Sequence, residues 1–326
     1  MTLSQDRSPR IAKKVQHSAD AANQVNRGFE PPTDCSIRSA VSLKGLTTWK
    51  VGGLAQWYLE PRNLADLQSG WAWAHQQNLP ITLIGAGSNL LISDRGLEGL
   101  VICTRHLRHV DPKFELETRS MTADAGKMLA SLAWQAARRG WAGMEWSAGI
   151  PGTVGGAVVM NAGAQGHSTQ EILVSTEVLN ADGSIEILTN QDLNYSYRTS
   201  NLQGESRLVL SATFQLLAVE NPEAVKERTF RDLEERHSKQ PYDRPSCGSV
   251  FRNPKPQYAA ALIEELGLKG HRIGDAEVST LHANFIINRQ DATASQIREL
   301  IYYVRDQVKQ AYSIELEPEV KMLGKF

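Results

Sequence analysis

The chain has 326 residues, of which 41% are apolar and 22% charged, and its formal net charge at pH 7 is −1. That size and balance predict two or three domains of an ordinary soluble protein, and a charge so near zero argues against bulk binding to nucleic acid or an anionic membrane, so any anion site must be built locally. The cysteines Cys35, Cys103 and Cys247 form no CxxC pair, which argues against a zinc site or a disulfide framework and fits a reducing, cytoplasmic setting.

No apolar run approaches the roughly 20 residues that span a bilayer, and the N-terminus lacks the apolar core of a secretory signal. Residues 1–40 are polar, carry both charge signs and contain Pro31-Pro32. They predict a poorly ordered extension, and Asp6, Asp20, Glu30 and Asp34 argue against a transit peptide. A helix follows over 63–79, capped by Asn63, with Leu64, Leu67, Trp71 and Ala74 at helical spacing and Pro80 as its stop. Ile81 to Ile84, Leu90 to Ile92 and Leu100 to Ile102 read as strands, and 125–139 as a second helix ended by Gly140. After a glycine-dense loop over 143–166, the runs 172–180 and 184–188 flank Ala181-Asp182-Gly183 as a hairpin, and 208–219 is a further strand. Tyr195 to Tyr197 also reads as strand.

Asn221-Pro222-Glu223 starts a helix that ends near Gln240-Pro241, with Arg236, His237 and Lys239 in its last turn. Ala259 to Leu266 is helical. Thr293-Ala294-Ser295-Gln296 is a capping box that opens a long helix with the stripe Ile297, Leu300, Ile301, Val304 and Val308. The end of the chain alternates, with Ile314, Leu316, Val320 and Met322 on one face and Glu315, Glu317, Glu319 and Lys321 on the other. Strands and helices mix without a βαβα rhythm, and the composition turns from strand-rich to helix-rich near 220, which is an α+β pattern.

Two glycine-rich segments stand out. Gly85-Ala86-Gly87-Ser88-Asn89 follows a strand directly; it is a tight turn or an anion nest of successive N–H groups. A Rossmann fingerprint would need a glycine at position 90 and then a helix, whereas Leu90 and a strand stand there. The second segment, Ser147 to Ala164, mixes glycines with Ile150, Val154, Val158, Val159 and Met160, so it is packed, and a packed glycine-rich segment lies against a ligand or another backbone. If its amides face a ligand, Gly155→Val costs ligand binding before it costs folding.

At these residues the chain resembles the UDP-N-acetylenolpyruvoylglucosamine reductase family in its compact form. The resemblance rests on Thr48-Trp49-Lys50-Val51-Gly52-Gly53, Gly85 to Leu91, Gly149 to Ala164, Tyr197-Arg198, Gly248 to Pro254, His282-Ala283-Asn284-Phe285 and Leu316 to Val320. It runs in order over about 41–324. It implies a vanillyl-alcohol-oxidase/PCMH-type FAD-binding domain of two subdomains, 41–105 and 106–220, then an α+β substrate domain over 221–313. The strand 314–326 would return to the first subdomain.

The reaction it implies passes a hydride from NADPH through non-covalent FAD to the enolpyruvyl group of a UDP-sugar. It also implies a cytoplasmic monomer serving cell-wall synthesis, cell shape and division, with no nucleic acid, membrane or metal involved. By position, Arg198 becomes the partner of the substrate carboxylate, Ser249 the proton donor, and Glu319 an acid that polarises the carboxyl group. Gly85, Ala86, Gly87, Ser88, Asn89, Gly149, Gly152, Thr153, Gly155, Gly156, Ala162 and Gly163 become cofactor contacts. Tyr197, Asn253 and His282 become substrate contacts, with Asn284, Arg236 and Gln240 nearby. Trp49 and Tyr58 read as core aromatics. An FAD-linked oxidase of a sugar or hydroxy acid, or a non-catalytic UDP-sugar-binding module, are the alternatives.

Overall fold

A computed structural model describes residues 30–33, 35–107, 111–218 and 221–326. Strand β1 (Arg38–Ser42) lies antiparallel to β2 (Leu54–Leu59). Helix α1 (Leu64–Gln76) follows, with the Asn63 side chain accepting from the Asp66 N–H. Its buried stripe Leu67, Trp71 and Ala74 packs with Trp57, Leu59, Leu100 and Ile102 of the sheet. Strand β3 (Ile81–Ile84) comes next, then β4 (Leu90–Ile92), which leaves this sheet, then β5 (Leu97–Cys103). The sheet order is β1-β2-β5-β3. β5 lies parallel to both neighbours and is buried on both faces from Gly99 on, which explains the apolar run Leu100 to Cys103.

The second lobe begins with β6 (Lys113–Glu115), β7 (Ser120–Asp124), α2 (Leu129–Arg138) and β8 (Trp141–Ala142). It continues through α3 (Val154–Met160), β9 (Gly163–Ala164), β10 (His167–Ser168) and α4 (Thr169–Ile172) to β11 (Leu173–Leu179), β12 (Ile185–Thr189), β13 (Leu208–Gln215) and β14 (Leu217–Ala218). Its main sheet is antiparallel, in the order β12-β11-β13-β7-β6. Leu129, Leu132, Ala136, Val154 and Val158 bury their side chains with those of β7 and β13. After α5 (Pro222–Lys239), the third lobe holds α6 (Ala259–Glu265), the small antiparallel sheet β15 (Arg272–Ile273), β16 (Ala276–Val278) and β17 (Ile286–Asn288), and the long α7 (Ala294–Tyr312). Strand β18 (Lys321–Leu323) then pairs in parallel with β4, far back in the first lobe.

Several expectations change. The extension expected over 1–40 falls largely on residues outside those described, and its end is structured: β1 starts at Arg38, and Cys35 and Ile37 pack on the first core. The glycine-dense loop contains α3. Its Val-Gly-Gly-Ala-Val-Val run is a poor helix former, but Thr153 caps it and it packs into the second core. Tyr195 to Tyr197 is no strand; Ser196 and Thr199 bond each other across a two-residue turn. Helix α5, expected with the substrate domain, sits on the second lobe instead, through Leu233 and an Arg228–Glu145 ion pair of 2.9 Å. Gly149 makes that approach possible, since a Cβ there would lie 2.6 Å from Arg236 Cδ.

The first and third lobes share one core, in which Trp49, Val51 and Leu91 pack with Phe251, Ile286 and Ile301. Trp49 also donates its indole N–H to the Ile286 carbonyl at 2.7 Å. Asp94 of the first lobe accepts from the N–H groups of Ala294 and Ser295 at 2.8 and 2.9 Å, so one lobe caps the helix of another. Asp94→Ala should therefore cost about 1–2 kcal/mol of stability, read as a lower urea midpoint at unchanged slope.

Candidate active site

A cavity of about 1140 Å³ opens between the three lobes. That is at or above the top of the range for a single small-molecule site, roughly 300–1,000 Å³, so it has room for a long ligand and a second one. Every expected site residue lines it except Gly149, which serves the packing of α5, and Asn284.

The 85–89 loop forms one wall. Gly87 takes a left-handed φ of 68°, and a Cβ there would collide with the Leu46 carbonyl, so only glycine fits. The carbonyls of Gly87 and Asn89 accept from the N–H groups of Thr48 and Lys321. The N–H groups of Ala86, Gly87, Ser88 and Asn89 donate to nothing among the described residues. A run of open amides without side-chain bulk suits a phosphate-bearing ligand.

The second glycine segment meets the first. A Cβ on Gly85 would stand 2.5 Å from Thr153 Oγ1. Contrary to expectation, the amides of Gly155 and Gly156 do not face a ligand. Gly155 donates to the Ala125 carbonyl and Gly156 to Thr153 Oγ1. These glycines line the cavity through their lack of side chain, and a Cβ on Gly155 would press on Ala125 Cβ at 3.0 Å. Gly155→Val is thus an overpacking change whose first effect falls on folding.

Tyr197 and Arg198 form the tip of the turn between Ser196 and Thr199, with Arg198 at a left-handed φ of 56°. Its guanidinium reaches the carbonyls of Asn161 and Gly163 and, through Nε, the Glu319 carboxylate at 3.3 Å. Gly163 must be glycine, because a Cβ there would collide with the His167 carbonyl. Glu319 comes from the far end of the chain. Its N–H donates to the Val250 carbonyl and the Arg252 N–H to that of Glu317, while Phe251 bridges Pro318. Pro318 thus occupies the non-hydrogen-bonded position of a short antiparallel ladder, where no N–H is needed. Ser249 precedes this ladder, half-buried, and its hydroxyl has no partner among the described residues.

Glu319, on the polar face of the alternating chain end, is largely buried. Desolvation raises its carboxyl pKa, outweighing the pull of Arg198 and Arg252. The pair does not reverse this because only Nε of Arg198 faces the carboxylate; each Nη gives one N–H to a carbonyl and keeps its second open.

His282 lines the cavity beside Phe285, and burial lowers its pKa. Its Nδ1 accepts from the Asn284 N–H, so the neutral ring carries its proton on Nε2. Asn284 lies behind the cavity wall, where its side chain accepts from the Phe251 N–H and donates to the Phe251 carbonyl. Asn253 accepts from the Ala259 N–H at the start of α6, which leaves its amide donors for a ligand. Arg236 and Gln240 reach the cavity from the end of α5, and Tyr197 lies between Arg198 and Lys255. Sequence reading missed Arg105, which bonds three loop carbonyls and shows no motif of its own.

The raised pKa has a sign. A carboxyl whose folded pKa lies above its unfolded one adds stability at low pH that is lost as pH rises through the folded value. Glu319→Gln abolishes this term. The urea midpoint of Glu319→Gln should therefore gain on the parent as pH climbs above about 4.3, the ordinary glutamate value. A difference that stays flat with pH would mean an unperturbed carboxyl.

Comparison with known proteins agrees with this geometry. A model of the UDP-N-acetylenolpyruvoylglucosamine reductase C-terminal domain matches residues 240–323, and an FAD binding domain model matches 55–189. The UDP-N-acetylenolpyruvoylglucosamine reductase of Synechocystis sp. is 55% identical over 296 residues, 90% of this chain and 93% of its own. The enzyme of that name from Acaryochloris marina is 54% identical over 293 residues, 90% of this chain and 94% of its own. The crystal structure of UDP-N-acetylenolpyruvylglucosamine reductase from Thermus caldophilus matches with a TM-score of 0.75 at 33% identity, over 89% of this chain and 100% of its own. With an FAD-binding domain, the reductase C-terminal domain and these relatives along nearly its whole length, the chain belongs to the UDP-N-acetylenolpyruvoylglucosamine reductase family.

Proposed function

We propose that this chain reduces the enolpyruvyl group of UDP-N-acetylglucosamine enolpyruvate to UDP-N-acetylmuramate in peptidoglycan precursor synthesis, with NADPH as reductant and non-covalent FAD. The observation that carries the reading is the Arg198–Glu319 pair in the same cavity as the Ser249 hydroxyl and the open amides of 86–89. The first two lobes would hold FAD through 85–89 and the 152–163 segment; the third lobe and the 317–323 return would hold the UDP-sugar. Bound FAD supplies hydride chemistry that no side chain can perform. An oxidase of sugars would have no use for a carboxylate-binding arginine, a buried acid and an unengaged hydroxyl in one place. A cytoplasmic setting suits the free thiols Cys103 and Cys247, and no described helix is long and apolar enough to cross a membrane.

The chain's own residues have three tasks. When hydride reaches the terminal carbon of the vinyl ether, negative charge grows on the α-carbon and spreads into the carboxylate. Arg198 lies ready to stabilise that charge, held by the carbonyls of Asn161 and Gly163. Glu319, its proton favoured by burial, can donate a hydrogen bond to the same carboxylate. Ser249 gives its hydroxyl proton to the α-carbon and regains one from water.

Stopped-flow absorbance separates the two halves of the reaction. Ser249→Ala should stay yellow and bleach with NADPH at near-parental speed, while the return of colour on adding substrate slows by about 10²–10⁴. An unchanged return would move the proton to Glu319 or a water. Arg198→Met should show the same split, with a loss of about 10²–10³ in the substrate half alone. If Arg198→Met instead loses its FAD, the arginine serves the cofactor and the assignment fails.

A further inference from the structure

Arg105 lies outside the cavity lining, in the turn after β5, yet it holds the loop that forms the cavity wall. Its Nε donates to the Gly85 carbonyl at 3.1 Å, and its Nη2 to those of Leu46 and Ala86 at 2.7 and 2.6 Å. In a trans peptide the carbonyl and the following N–H point in opposite directions. Fixing the carbonyls of Gly85 and Ala86 toward Arg105 therefore turns the N–H groups of Ala86 and Gly87 away from it. The Gly87 carbonyl, taken by the Thr48 N–H, directs the Ser88 N–H likewise. The turn carrying Arg105 is itself clamped by the second lobe, since a Cβ on Gly126 would collide with the Thr104 carbonyl and come within 3.2 Å of that of Arg105.

We infer that Arg105 is a positioning residue: by collecting three loop carbonyls it presents the 86–89 amides as an anion nest for the diphosphate of the cofactor. Without it the two peptide planes lose their anchor, and a carbonyl turned into the cavity would repel a phosphate. This rests on the reading that the cavity takes FAD, and the role is distinct from touching FAD.

The test compares a ligand that carries the diphosphate with one that lacks it. Apoprotein is titrated with FAD and with riboflavin, following flavin fluorescence, for the parent, Arg105→Met and Arg105→Lys. Losing charge-assisted bonds should weaken FAD binding by about 10–100-fold in Arg105→Met, with riboflavin affinity and the melting point of the apoprotein nearly unchanged. Arg105→Lys, which can reach one carbonyl, should fall between, and it carries the test alone if Arg105→Met does not fold. Equal loss for both ligands would make Arg105 a general structural residue and overturn the inference, as would unchanged FAD affinity. A parent protein that binds no FAD would instead remove the functional reading beneath it.

Discussion

The site depends on one pairing between distant parts of the chain. The Glu319 N–H reaches the Val250 carbonyl and the Arg252 N–H reaches Glu317, while two residues after Glu319 β18 adds to β4. The last stretch of chain is thereby stitched to the first and third lobes at once. Without that pairing Glu319 would have no fixed place beside Arg198, and β4 would lose its only strand partner among the described residues. Closing so long a loop is entropically costly, and the shared core around Trp49, Phe251 and Ile301 supplies the compensating burial.

The cavity is electrostatically divided. At one end the polarity comes from backbone: open amides on a loop of Gly, Ala and Ser, with apolar contacts from Ala125, Leu129 and Ala157. At the other end it comes from side chains, with Arg198, Glu319, Arg236, Lys239 and His282 around the opening between lobes. Uniform amides suit a ligand held by its phosphates and an otherwise flat body. Individually placed charges suit a ligand whose bonds must change. The carboxyl of Glu319 shows why placement matters more than charge count, because its neighbour arginine is committed elsewhere and burial decides the outcome.

Much of this was legible before the fold was known. Helices with a cap and an apolar stripe, such as α1 and α7, came out within a few residues, because the cap and the stripe report the same local geometry. The two glycine segments pointed to a ligand-facing backbone, and the motifs at 197–198, 248–254 and 316–320 meet in one cavity. What stayed hidden depended on distant partners. Helix α3 has valines and paired glycines that disfavour helix, and forms because Thr153 caps it and β13 packs beneath it. Helix α5 buries only Val225 and Thr229 fully, so nothing local tells which lobe it joins. The amides of Gly155 and Gly156 seemed free because their acceptors, Ala125 and Thr153, become neighbours only through the turn of the chain. Arg105 has no local signature at all, since three carbonyls from two loops define it.

Arg198 carries a lesson for anyone redesigning this chain. Its left-handed backbone is one that glycine adopts freely and arginine only at a cost of order 1 kcal/mol. Judged by backbone preference alone, position 198 is a defect, and a procedure that rewards folded-state stability would replace the arginine early. The replacement would shed that strain but also lose the bonds to Asn161, Gly163 and Glu319, so position 198 cannot be judged from its backbone alone. Thermostabilising campaigns on such a scaffold should therefore hold the 197–198 turn fixed and seek their gains at ordinary surface positions, because here the unfavourable conformation and the proposed chemistry occupy the same residue.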